Sequence, residues 1–266
     1  MTIKKAGSWI KQNRMYYLIG ILLIIGMKYY YSRAGTDELK WILAPTAWWV
    51  RMLGGIPFTY ESRIGYVNHD LHFIIASSCS GVQFMIITIA TLIFSFVHRM
   101  RTTKKKAGWL MLSIGGAYIS TIMVNGLRIL ISIWLPPVLN RCLSDRRLPG
   151  AAGQIPPETL HTVIGVAVYF TSLLVIYRFA GCFTQETADC SAPLSANNKQ
   201  YELPGYLAPV FWYTLITLGM PLLNHAYQND TGNFTGYAGL ILLVCTALLL
   251  MSRLVTVIQK YLQANS

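Results

Sequence analysis

The chain has 266 residues, of which 54% are hydrophobic and only 12% charged, against about 25% charged in an ordinary soluble domain. Its mean hydropathy is +0.44, and its apolar residues run long enough to approach the roughly 20 residues a helix needs to cross a bilayer, which excludes a soluble globular domain. The formal net charge of +12 does not signal nucleic acid, because Lys4, Lys5, Lys11 and Arg14, then Arg99, Arg101, Lys104, Lys105 and Lys106, gather at the ends of apolar runs, as cytoplasmic loops do against anionic lipid.

The basic start, Met1 to Arg14, leads into an apolar stretch from about Met15 to Met27. A short signal-peptide core is one reading. An uncleaved first span, extended by an interfacial belt of Tyr29, Tyr30 and Tyr31, is preferred. Leu39 to Leu53 is apolar but short and carries Lys40, Pro45, Trp48, Trp49 and Arg51, so it is expected to lie at the interface or insert partly. From Ile56 to Ser78 the chain is broken by Gly54-Gly55 and Pro57 and then alternates loosely, which predicts extended structure on the membrane surface.

Further spans are expected at about 81–97, 107–135, 160–179, 207–224 and 237–258. The segment 181–206, with Cys182, Cys190, Asn197 and Asn198, reads as a cytoplasmic loop. The fold class is therefore an all-α polytopic membrane bundle of about six to eight transmembrane segments, with a short extended outer-face segment around 56–78. Residues 1–180 form the core and 207–266 a two-helix extension. Placing both basic clusters inside demands an even number of crossings between them, so 39–53 should not cross. The 135–160 loop, with Arg141, Arg146 and Arg147, then falls outside.

That topology brings three short motifs to one level. Ser77-Ser78-Cys79-Ser80-Gly81 stands at the outer end of an apolar run. A helix starting there with a serine N-cap leaves Cys79 near free N–H groups and a positive dipole end, which favour a thiolate. By itself Cys-Ser-Gly is weak, since most cysteines beside apolar residues are small buried hydrophobes. Asn125-Gly126-Leu127-Arg128 lies deep in the next run. An arginine there costs about 2.5–3.5 kcal/mol on insertion scales and is a functional candidate by default, the bland alternative being a snorkelling anchor. Counted from Ala107, Arg128 lies about 31 Å along the helix, one hydrocarbon thickness, with Asn125 on the same face. Pro156-Pro157-Glu158-Thr159-Leu160-His161 carries helix-start signals. His161 is thus placed near the outer face and Gly165 one turn below, where the missing side chain lets another helix approach.

A thiol, an imidazole and a guanidinium are the parts that acyl transfer needs: nucleophile, proton carrier, and a charge for the oxyanion or a substrate carboxylate. Cys-Ser-Gly, Asn-x-x-Arg and His-x-x-x-Gly, in this order on successive apolar segments, resemble the exosortase/archaeosortase family over about residues 15–180. The resemblance implies a polytopic cysteine transpeptidase or protease in the plasma (inner) membrane, its active site on the outer side. Its substrates would be exported proteins ending in a short Pro-Glu-Pro-like motif, a transmembrane helix and a basic tail. By the same resemblance Cys79 is the nucleophile, His161 the general acid/base and Arg128 the stabiliser, with Asn125, Ser80, Gly81 and Gly165 in support. No cofactor and no metal are expected, and the partners are membrane lipids and such exported proteins.

Other features take bland readings. Asn68-His69-Asp70-Leu71-His72 lacks a further ligand cluster and reads as a surface segment. No His-Glu-x-x-His or Gly-x-Ser-x-Gly is present. Two rival functions stand beside the enzyme. A non-enzymatic transporter or envelope assembly factor explains the composition, with Arg128 as a substrate-binding charge. A His-dependent membrane acyltransferase would need His161 but not the Cys79 thiol.

Overall fold

The computed structural model describes residues 3–145, 157–189, 207–219, 222 and 231–264. It is a helical bundle with one small sheet. The helices are α1 (Ile3–Arg33), α2 (Lys40–Gly54), α3 (Val82–Phe96), α4 (Thr103–Asp145), α5 (Pro157–Asp189), α6 (Leu207–Thr214) and α7 (Thr231–Ala264). Among the described residues four segments are long and apolar enough to cross a membrane: Ser77–Arg99, Thr103–Leu139, Thr159–Thr184 and Phe234–Met251. The first expected span and the 207–224 span are absent from that set. Arg14 and Lys28 bracket the apolar stretch of α1, and α6 with the π-turn after it, Leu215–Gly219, is short.

Helix α3 is the centre of the bundle and packs on α1, α4, α5 and α6. It is apolar all round, with Phe84, Ile86, Ile87, Ile89, Ile93 and Phe96 enclosed, as a helix surrounded by other helices should be. Helix α4 shows the opposite pattern. Met111, Leu112, Ile119, Met123 and Leu127 are exposed along it, an apolar face of the kind a lipid-contacting helix presents. The second half of α1 runs beside α3. Near its midpoint the Tyr16 hydroxyl donates to the Thr103 carbonyl, and near its finish the Tyr31 hydroxyl reaches the Ser77 carbonyl at 3.5 Å.

Helix α2 is about 22 Å long at 1.5 Å per residue, short of a roughly 30 Å hydrocarbon layer. It lies parallel to the middle of α4: the Tyr118 hydroxyl donates to the Trp41 carbonyl at 2.9 Å, and the indole of Trp49 covers Gly126. A Cβ on Gly126 would lie 2.5 Å from Trp49 Cδ1. In a setting where water expels nothing from between helices, such close backbone approach is what holds them together.

The expected extended segment is a three-stranded antiparallel meander, β1 (Thr59–Glu61), β2 (Gly65–Asn68) and β3 (Phe73–Ile75). Tyr66 pairs with both Tyr60 and Ile75. Its first turn is pinned by Asp37, in the link between α1 and α2. That carboxylate accepts from the Tyr60 hydroxyl, from the Arg63 backbone N–H at 2.9 Å and from the Ser62 hydroxyl at 3.0 Å. These donors hold the Asp37 carboxyl below its ordinary range, Tyr60 contributing most, and the same bond pushes the Tyr60 phenol up to about 12.

Three boundaries differ from expectation. Helix α4 begins at Thr103 and continues past Pro136-Pro137 to Asp145, so the proline pair does not end it. At about 65 Å it is twice the hydrocarbon thickness, and its far end projects beyond any bilayer. Helix α5 runs through 181–189, the first part of the expected loop. The rest of that loop, with Cys190, Asn197 and Asn198, lies outside the described residues, as do Arg146 and Arg147.

Candidate active site

The three motifs meet at the end of the bundle where α1 finishes and α3 begins. Cys79 closes a 3₁₀ turn, Ser77–Cys79, whose last N–H bonds to the Ala76 carbonyl at 2.9 Å. The expected serine N-cap is not formed. The N-cap of α3 is Gly81, in the left-handed region at φ 75°, while the buried Ser80 places its hydroxyl 3.5 Å from the Val82 N–H. Cys79 therefore precedes the helix by a short turn instead of standing in its first turn. The reason is steric: Gly81 faces α4 so closely that a Cβ would lie 3.0 Å from both Asn125 Cγ and Thr121 Cγ2. The chain must turn there to pass α4, and only glycine adopts that conformation without strain.

Asn125 and Arg128 come from one face of α4. The Asn125 side chain is fully enclosed and donates through Nδ2 to the Cys79 carbonyl at 2.6 Å. Arg128 is only 6% exposed. Its Nη2 contacts Cys79 Sγ at 3.7 Å and His161 Nε2 at 3.0 Å, while Nη1 donates to the Tyr169 hydroxyl at 2.7 Å. Arg128 Nε is buried without a hydrogen-bond partner among the described residues. No carboxylate there forms an ion pair with this guanidinium either. A buried charge without a counter-ion is costly, so what surrounds Arg128 instead is informative: a phenol, an imidazole and a thiol.

His161 lies in the first turns of α5 and is exposed, and Cys79 is half-buried. The site thus grades from an open histidine to an enclosed arginine. Because a guanidinium only donates, the Nε2 atom facing it must accept, and the neutral ring carries its proton on Nδ1. Gly165 is one turn below on α5, but its role is looser than expected. A Cβ there would meet Arg128 Cδ at 4.0 Å, an ordinary contact.

Tyr169 is the residue that sequence reading missed. Its hydroxyl accepts from Arg128 and donates to Asn125 Oδ1 at 2.8 Å, and its ring stacks on Phe84 with centroids 4.8 Å apart. A signal existed, because Tyr169 is two helical turns past His161 and one past Gly165, on the face already marked by those two. Among the described residues no group of His, Cys, Asp and Glu is arranged to hold a metal. His69 instead bonds Glu61 at 2.9 Å on the sheet surface.

No curated protein and no solved structure matches this chain. The family of transmembrane exosortases matches residues 10–178, which takes in α1 to α4, the sheet and most of α5, with all three motifs. This protein therefore belongs to the transmembrane exosortase family.

Proposed function

We propose that this chain is a cysteine peptidase or transpeptidase that removes C-terminal sorting signals from exported proteins at the outer face of the plasma membrane. The observation that carries the reading is one nitrogen, Nη2 of Arg128, in contact with both Cys79 Sγ and His161 Nε2. With no carboxylate partner among the described residues, the guanidinium has its charge free for an anion, and a thiolate is the anion this site can generate.

In the first half-reaction the exposed His161 ring exchanges its Arg128 contact for the thiol and takes the thiol proton on Nε2, and Cys79 Sγ attacks the scissile carbonyl carbon. The C–S bond forms as the carbonyl electron pair moves onto oxygen. The Arg128 guanidinium supplies the positive charge for that oxyanion, having no carboxylate counter-ion among the described residues. Collapse breaks the C–N bond, and the leaving amine takes the proton from His161. Water or an amine then attacks the thioester, surrenders a proton to His161, and releases product while the thiol recovers its proton. A substrate with a short recognition motif, a transmembrane helix and a basic tail suits a site at membrane-surface depth.

The test is co-expression with a reporter carrying such a signal, read as substrate size on a gel. Cys79→Ala and Cys79→Ser should both leave the reporter at full length while the enzyme inserts normally. Normal trimming by Cys79→Ala would overturn the nucleophile. Trimming by Cys79→Ser alone would favour acyl transfer without a thiol.

A further inference from the structure

We propose that Tyr169 is a positioning residue: its hydroxyl sets the rotation of the Arg128 guanidinium and so places Nη2 against the Cys79 sulfur. The proposal rests on the reading of Cys79 and Arg128 above.

Four contacts close a ring. The Cys79 carbonyl accepts from Asn125, Asn125 Oδ1 accepts from Tyr169, the Tyr169 oxygen accepts from Arg128 Nη1, and Arg128 Nη2 touches Cys79 Sγ. Cys79 is therefore held twice, by its backbone and by its sulfur, through two side chains of α4 that Tyr169 of α5 ties together. Within this ring the directions of donation are consistent. The Asn125 amide spends its nitrogen on Cys79 and its oxygen on Tyr169, and the phenol both accepts and donates.

Tyr169 is the member best placed to fix the guanidinium. No carboxylate clamps Arg128 among the described residues, and its contact with His161 leads to an exposed ring. The Tyr169 ring is held in the bundle by its stack on Phe84, and Arg128 Cζ lies 5.3 Å from the ring centroid. One aromatic side chain thus holds Arg128 by its face and by its oxygen. Without that oxygen the planar fork is free to turn about its own bonds, and Nη2 leaves the sulfur.

The experiment measures alkylation of Cys79 by iodoacetamide against pH, in the full-length protein in detergent micelles, quantified at that cysteine by mass spectrometry. Alkylation follows the thiolate fraction and needs no peptide turnover. It can therefore fail independently of the reporter assay. Tyr169→Phe removes one oxygen and keeps the stacking ring. Its Cys79 should alkylate roughly tenfold more slowly at pH 7, because the guanidinium no longer stands against the sulfur. In an Arg128→Ala background the same substitution should change nothing further, because the hydroxyl acts through the guanidinium. A parent-like rate in Tyr169→Phe, or an equal effect with and without Arg128, would overturn the proposal. Should the phenylalanine variant fail to insert, 3-fluorotyrosine at position 169 serves in its place. Fluorine weakens the neutral phenol oxygen as an acceptor and keeps the fold, so alkylation at pH 7 must still slow, and an unchanged rate rejects the idea.

Discussion

Arg128 does several things at once, and its shape decides which substitutions can replace it. Nη1 is engaged with Tyr169 while Nη2 faces Cys79 and His161. Lysine carries one compact ammonium on a flexible stem and cannot occupy two separated positions. It can still reach the membrane boundary with its charge, so insertion should survive Arg128→Lys. Turnover of the reporter, normalised to membrane protein level, should fall by roughly 10²–10³, the usual cost of losing a preorganised oxyanion donor. Arg128→Ala should be at least as slow. Near-parental turnover by the lysine variant would reduce Arg128 to a general positive charge. The arginine could be singled out from sequence because an ionisable residue inside an apolar run is rare. Tyr169 could not, because tyrosine is common in such runs and its hydroxyl acquires meaning only from its neighbours.

The turn that carries Cys79 is built by the element that follows it. Gly81 adopts φ 75° and leaves no room for a Cβ against Asn125 and Thr121. Gly81→Ala should therefore combine a left-handed penalty of about 1–2 kcal/mol with displacement of Asn125, whose Nδ2 holds the Cys79 carbonyl. The expected outcome is a protein that still inserts, melts several degrees lower in detergent, and processes the reporter at least tenfold more slowly, since near-attack geometry tolerates little displacement. Unchanged melting and unchanged processing would show that the turn is not constrained. This element is also where sequence reading went astray in detail. A serine beside an apolar run satisfies the N-cap rule, but the rule knows nothing of the helix packed against it, and that contact hands the cap to glycine.

Across the whole molecule, one end carries the basic loop around Thr102 and the other carries the sheet and the site. Lys106 and Arg128 are about 33 Å apart along α4, close to one hydrocarbon thickness. The positive-inside rule predicts a cytoplasmic basic end, which would leave the hairpin turn at Ser62, pinned to Asp37, facing out. A membrane-impermeant thiol reagent applied to intact cells, in a Cys79→Ala background, should label Ser62→Cys and spare Thr102→Cys. Labelling of Thr102→Cys from outside would invert the protein and place the site on the wrong side for exported substrates.

Hydrophobic runs, their charged borders and three short motifs were enough to specify a helical membrane protein and its family, because desolvation acts on each segment with little regard to its neighbours. The same economy explains why α2 was read as too short to cross and 56–78 as extended: length and broken periodicity are local properties. Helix ends were less well read, since α4 passes through Pro136-Pro137 and α5 continues to Asp189. The ring joining Cys79, Asn125, Tyr169 and Arg128 belongs to tertiary structure alone. Its members lie on three segments separated by 41 to 49 residues in their long-range bonds. No local rule couples them, and only the packing of α4 and α5 around α3 brings a phenol, an amide and a guanidinium within hydrogen-bonding reach of one cysteine.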